Sequence, residues 1–161
     1  METQQLQISE AIEQNSVKYL LSVLFAESYV LMLKFQSSHW NYTGIDFYAK
    51  HLLFERIYTN IYNSLDRIAE ALRSIDTMAP ASFCEMGYLS KIDCSVSTDP
   101  TFKLDRLNVL LTDISIIKQT ISNLNAAAQL ERNQGVMNIC GDIDENIYAN
   151  AYYLLSSHLK S

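Results

Sequence analysis

Apolar residues recur along most of this chain at steps of three and four, the spacing of one face of an α-helix. From about Asp46 to Ile75 the stripe is Phe54, Ile57, Ile61, Leu65, Ile68, Leu72 and Ile75. A second stripe passes through Leu107, Leu110, Leu111, Ile114, Ile117, Ile121 and Leu124 to about Gln129. Before it, Thr98-Asp99-Pro100 offers a polar cap followed by a first-turn proline. Two further helical segments run from about Ile8 to Ser38, carrying Ile12, Leu20, Val23, Leu24, Val30 and Leu31, and from about Gly135 to Leu159. The links around Asn41–Ile45 and Glu131–Gln134 are short, so the helices they join are antiparallel neighbours. The link from Asp76 to Ser97 is too long for a turn and suits a crossover between distant ends of a bundle, with a small helix around Phe83 to Leu89. The pattern predicts an all-α four-helix bundle with one long crossover between helices 2 and 3.

Composition agrees and narrows the function. With 161 residues the chain is the length of one domain, residues 1–161, and it holds no internal repeat or boundary. Only 4 glycines and 2 prolines occur, too few for a turn-rich β-protein. Net charge is −6, the 12 Lys and Arg residues are scattered, and residues 1–15 contain none. Nucleic-acid binding needs clustered cations to displace counterions, so DNA is not an expected partner. Cys84, Cys94 and Cys140 are odd in number and fit neither zinc spacing nor a disulfide framework, and they read as ordinary thiols. The start Met1-Glu2-Thr3-Gln4-Gln5 lacks the basic and apolar parts of a secretory signal. The apolar stretch Tyr19 to Leu33, interrupted by Glu27, is short for a bilayer span and reads as a core helix. A cytoplasmic protein without a membrane partner is expected.

The second helix carries the candidate chemistry. His51 and Glu55 are four apart, as are Asp66 and Glu70, and residues at that spacing share a helix face. All four fall within an arc of roughly 100°, centred roughly 130° from the apolar stripe. The two pairs lie roughly 16 Å apart along the axis, so one helix cannot bring both to one ion. Two copies packed antiparallel about an axis between Asn60 and Ile61 can. His51 of one chain then lies level with Glu70 of the partner subunit, and Glu55 with Asp66 of the partner subunit. Tyr48, Leu52, Thr59, Tyr62 and Ala69 share that face and would form the rest of the contact. Imidazole plus carboxylate without thiolate suits iron, or manganese or zinc. Taken alone, such residues are more often a solvated face, with Asp66–Arg67 and Glu70–Arg73 as surface ion pairs. His39 alone would be a helix-end histidine and His158 a surface residue.

Taken together, the residues go further. His39-Trp40-Asn41-Tyr42-Thr43-Gly44, Phe47, His51 twelve positions after His39, Phe54-Glu55, Asp66-Arg67-Ile68-Ala69-Glu70 and Ala79-Pro80-Ala81-Ser82-Phe83 resemble the Dps family. These are the mini-ferritins of the ferritin-like superfamily, named for DNA-binding proteins of starved cells. The resemblance implies a ferritin-like bundle and a hollow dodecameric shell built from two-fold dimers. It implies ferroxidase sites between subunits that oxidise Fe(II), with hydrogen peroxide preferred over oxygen, store Fe(III), and protect against oxidative stress. His39, His51 and Glu55 would come from one chain and Asp66 and Glu70 from its partner, all five binding iron. Trp40 resembles a family tryptophan beside the site that intercepts radicals, with simple packing as the alternative. The Glu-x-x-His motif of larger ferritins and other di-iron bundles is absent.

Two departures stand out. Many relatives have acidic residues lining three-fold pores, where this chain has Asn133, Gln134 and Asn138, with Glu131, Asp142, Asp144 or Glu145 as possible substitutes. The lysine-rich tail of DNA-binding members is also missing. The rival readings are a DNA-compacting nucleoid protein and a structural shell with weak ferroxidase activity.

Overall fold

The computed structural model describes residues 13–95 and 104–159. Its elements are α1 (Val17–Asn41), α2 (Phe47–Ser74), a short α3 (Phe83–Leu89), α4 (Leu104–Leu130), α5 (Gln134–Ile143), a π-helical turn (Asp144–Ala149) and α6 (Asn150–Leu159). α1, α2, α4 and the composite α5–π–α6 rod make the expected four-helix bundle, with α3 riding on the crossover against α1. Among the described residues no helix is long and apolar enough to cross a membrane.

Local chemistry sets the boundaries. Ser16 caps α1 by accepting from the Tyr19 amide at 3.2 Å. Ser82 does the same for Glu85 of α3 at 3.1 Å, and Glu85 reaches back to accept from the Ala81 amide at 3.2 Å, a variant of the capping box. α2 and α4 end without glycine. Asp76 and Arg132 instead take left-handed backbone, with φ of 56° and 55°. The next amides, Thr77 and Asn133, then reach back to the carbonyls of Leu72 and Ala128 at 3.0 and 2.8 Å, satisfying last-turn acceptors.

The stripes read from sequence do form the core. Phe54, Ile61, Ile68 and Leu72 of α2 and Leu110, Ile114 and Ile117 of α4 are all fully buried and belong to one core cluster. α1 is buried on most of its circumference because α2, α3 and α4 all pack on it. α1 also runs past Ser38 to Asn41, so His39 and Trp40 stand on its last turn. The fourth helix differs from expectation. It is helical without a gap over the expected span but widens over Asp144–Ala149 into the π-turn, on whose inner side Tyr148 is fully buried. The π-turn itself contains no glycine or proline, although Gly141 precedes it by three residues. The expected start near Ile8 and the Thr98-Asp99-Pro100 cap lie outside the described residues.

Candidate metal centre

The turn between α1 and α2 is fixed by a polar knot. Tyr42 donates its hydroxyl to Asp46 Oδ1 at 2.5 Å, and the Lys50 ammonium pairs with Asp46 Oδ2. Hydrogen bonds from Lys50 and then Tyr42 hold the Asp46 carboxyl down at about 2. Burial, then the bond to Asp46, pushes the Tyr42 hydroxyl up to about 12. Gly44 is required between them. Its φ is 154°, and a Cβ there would meet Tyr42 Oη at 3.3 Å and Asp46 Oδ1 at 3.4 Å. His158, read from sequence as a simple surface residue, brings Nε2 to 4.0 Å from Asp46 Oδ2 and so ties the end of α6 to this turn.

The knot sets the last turn of α1 against the first turns of α2, and two imidazoles meet there. The His39 and His51 rings stack with centroids 3.7 Å apart and planes 19° apart. Each Nδ1 contacts the other residue's backbone carbonyl, His39 to His51 O at 2.9 Å and His51 to His39 O at 3.0 Å. A carbonyl oxygen only accepts, so both Nδ1 atoms carry a proton, and Nε2 is the nitrogen each ring can offer to a metal. The second bond also serves a last-turn carbonyl of α1. Phe47 stacks on His51 at 5.0 Å, and Tyr58 meets His39 edge-on at 5.4 Å. One ligand atom from each of His39, His51 and Glu55 lies within 4.8 Å of the others. The histidines are half-buried and Glu55 is exposed, so the cluster is open on one side.

Asp66 and Glu70 do not join this cluster within one chain. They lie further along α2, exposed, with Asp66 roughly 16 Å of helix beyond Glu55. The surface pairs that would have explained them are not made. Arg67 turns to Asp142, and Arg73 donates to the Thr77 carbonyl at 3.3 Å. Trp40 is 61% exposed, which sets aside simple packing within the chain. The face of α2 that carries the acids also exposes Tyr48 (73%), Leu52 (45%) and Tyr62 (63%).

The three neutral residues at the expected pore positions all have hydrogen-bond partners within α5. Asn133 caps α5 by accepting from the Val136 amide at 3.1 Å, and Gln134 donates to Asn138 at 2.9 Å. Of the acidic substitutes, Asp142 pairs with Arg67, Asp144 pairs with Lys118 at 2.6 Å, and Glu131 accepts from the Val17 amide at 3.2 Å.

Sequence reasoning missed the Tyr42–Asp46–Lys50 knot, although the four-residue steps among the three could have signalled it. It also missed a buried ion pair, Lys34 to Asp113 at 2.5 Å, which joins α1 to α4 and carries no sequence signal.

No known family's sequence profile matches the chain. Over 63 residues it is 40% identical to antigen TpF1 of Treponema pallidum (strain Nichols), covering 39% of this chain and 36% of that protein. Over 62 residues it is 37% identical to a DNA protection during starvation protein of Brevibacillus brevis, covering 38% of this chain and 42% of that protein. The matched stretch therefore spans less than half the length of these curated relatives. Solved structures extend the likeness over the fold. The crystal structure of antigen TpF1 matches with a TM-score of 0.80 at 26% identity, covering 90% of this chain and 92% of that one. A Dps protein from Vibrio cholerae O1, described as a member of a broad superfamily of ferritin-like diiron-carboxylate proteins, also has a TM-score of 0.80, at 22% identity over 89% and 88%.

Proposed function

Because the chain has the fold of Dps proteins in the ferritin-like superfamily, we propose that it is an iron-storing ferroxidase that detoxifies Fe(II) at sites shared between two subunits. The observation that carries this reading is the His39–His51–Glu55 cluster, in which the reciprocal Nδ1 hydrogen bonds leave Nε2 as the nitrogen each ring can offer. Two imidazoles and a carboxylate suit Fe(II), and the open side leaves room for further ligands and an oxidant.

On this reading Asp66 and Glu70 of the partner subunit complete the site. The exposed Tyr48, Leu52 and Tyr62 support that assignment, since large apolar side chains exposed along one helix face beside charged groups suit an association surface. The added carboxylates stabilise Fe(III), which then passes to the interior of a dodecameric shell. Hydrogen peroxide takes one electron from each of two Fe(II) ions and, with two protons, leaves as two waters, so no hydroxyl radical is released. Trp40, exposed beside His39, is placed to give up an electron to a stray radical.

The test is stopped-flow absorbance of metal-free protein mixed anaerobically with Fe(II), with and without hydrogen peroxide. Fast Fe(III) formation at two Fe(II) per peroxide, without hydroxyl radical, is expected. Oxidation no faster than in a protein-free control would remove the ferroxidase reading. A structural shell with weak activity would then stand, a reading that the pairing of Asp142 and Asp144 with cations favours. DNA compaction has no such observation behind it, and no retarded complex is expected in a low-salt gel shift.

A further inference from the structure

Glu27 interrupts the apolar run of α1, yet it is 0% exposed. Neither carboxylate oxygen has a hydrogen-bond partner among the described residues. Thr120 of α4 is also buried, and its hydroxyl is likewise unpartnered. That is unusual here. Ser22, Ser28, Ser38, Thr112 and Ser115 all donate to the carbonyl four residues back. Nearby, Tyr148 of the π-turn donates to Ser28 at 2.6 Å, and Ser28 donates to the Leu24 carbonyl at 2.6 Å. Both hydroxyl hydrogens are thus spent, and neither can solvate a carboxylate.

An ionised carboxylate needs several donors, and taking it out of water without them costs several kcal/mol. Thr120 can offer one hydrogen. The crossover passes close by at Lys91, whose amide and ammonium favour the anion without a well-formed hydrogen bond. Tyr148 is the other ionisable group acting with Glu27. A neutral acid makes smaller demands, because its own O–H can donate to Thr120 and only a carbonyl oxygen remains. Burial accordingly pushes the carboxyl up to about 7, against the opposing pull of Thr120 and Lys91.

We propose that Glu27 is a proton-binding site inside the bundle, neutral in mildly acidic solution, whose ionisation draws on Lys91 and so alters how the crossover sits on α1. Among the described residues, the crossover is also anchored there by Lys34, which donates to the Asp93 carbonyl at 3.2 Å. Proton binding at Glu27 requires no iron and no second subunit, so it is independent of the ferroxidase reading.

Infrared difference spectra between pH 6 and pH 8.5 test it on the intact, metal-free protein. The wild type should show the C=O stretch of a buried carboxylic acid that disappears as pH rises through neutrality. Glu27→Gln should lack that band. Hydrogen exchange at residues 90–95 should differ between wild type and Glu27→Gln at pH 8.5 and match at pH 6. Thr120→Val gives a second readout that does not depend on removing the acid. A hydroxyl bonds an anion more strongly than a neutral acid, so its loss should move the midpoint to higher pH. A spectrum at pH 6 without a carboxylic-acid band, an unmoved midpoint in Thr120→Val, or one tightly held cation per chain that Glu27→Gln abolishes would each overturn the proposal.

Discussion

His39 and His51 lock each other in place, each ring donating its Nδ1–H to the other's backbone carbonyl at 2.9 and 3.0 Å. Outer partners of metal-binding histidines usually act through a carboxylate or a distant carbonyl. Here each ring's partner is the main chain of the other histidine, so losing one side chain removes a proposed ligand and the ring stacked on its neighbour, while the neighbour keeps its own hydrogen bond to the backbone. His39→Ala should therefore weaken Co(II) binding by more than the ~10–100-fold typical of losing an outer partner alone. Helicity should be unchanged by circular dichroism. A Co(II) titration showing affinity within a factor of about two of wild type, against that range, would mean the stacked pair is not the metal site.

A charge placed on the exposed face of α2 should separate the shell from the monomer. Tyr62 is 63% exposed in the single chain, so Tyr62→Glu should fold normally but fail to pair across the two-fold axis. Light scattering should show a smaller species, and peroxide-dependent iron oxidation should fall at least about tenfold, the scale of a misplaced catalytic group. An intact assembly with full activity would place the subunit contact elsewhere.

The repeating stripes made the helices legible, whereas the left-handed Asp76 and Arg132 that end α2 and α4 carried no glycine signal. Phe54 to Leu72 could be read because every third or fourth residue faces one core. The grouping of His39 with His51 and Glu55 was legible only through the family resemblance, since His39 by itself read as a helix-end histidine. Other features depend on groups far apart in sequence. Lys34 meets Asp113 only once α1 and α4 pack, and the Tyr148 hydroxyl of the π-turn meets Ser28 across 120 residues of sequence. Asp66 and Glu70 are a different case, since their proposed role needs a second copy that no single chain displays.

The Lys34–Asp113 pair has side chains only 8% and 6% exposed. Removing one partner strands the other in a medium that cannot solvate it, at a cost of ~3–5 kcal/mol. Lys34→Met should lower the urea midpoint sharply, whereas the double variant Lys34→Met, Asp113→Leu should recover most of the loss. A double variant no better than the single one would show that Lys34 acts through its bond to the Asp93 carbonyl instead.

Arg132 holds left-handed backbone at the end of α4, with φ 55°, and is exposed. A Cβ in that conformation costs roughly 1–2 kcal/mol, part of which glycine returns as extra freedom in the unfolded chain. Arg132→Gly should raise stability by ~0.5–1 kcal/mol while leaving iron oxidation unaltered. A destabilised variant would mean that the arginine side chain contributes more than its backbone costs.

Stability should also depend on pH in a direction set by Glu27. Its carboxyl is raised from 4.5 to about 7 in the folded chain, so between those values the native state holds a proton that the unfolded chain has released. Linkage then makes stability fall as pH rises across that interval, by ~3 kcal/mol in total, and level off above pH 7. Asp46, held at about 2, acts in the opposite sense, but its contribution is complete above pH 4 and is lost only as pH falls towards 2. The two windows barely overlap, so denaturant curves of metal-free protein between pH 5 and pH 8 report on Glu27 alone of this pair. Wild type should lose stability over that range and Glu27→Gln should not, because an amide does not titrate. If both proteins follow the same curve, the pH dependence belongs to other groups and the buried carboxyl does not release its proton near neutrality.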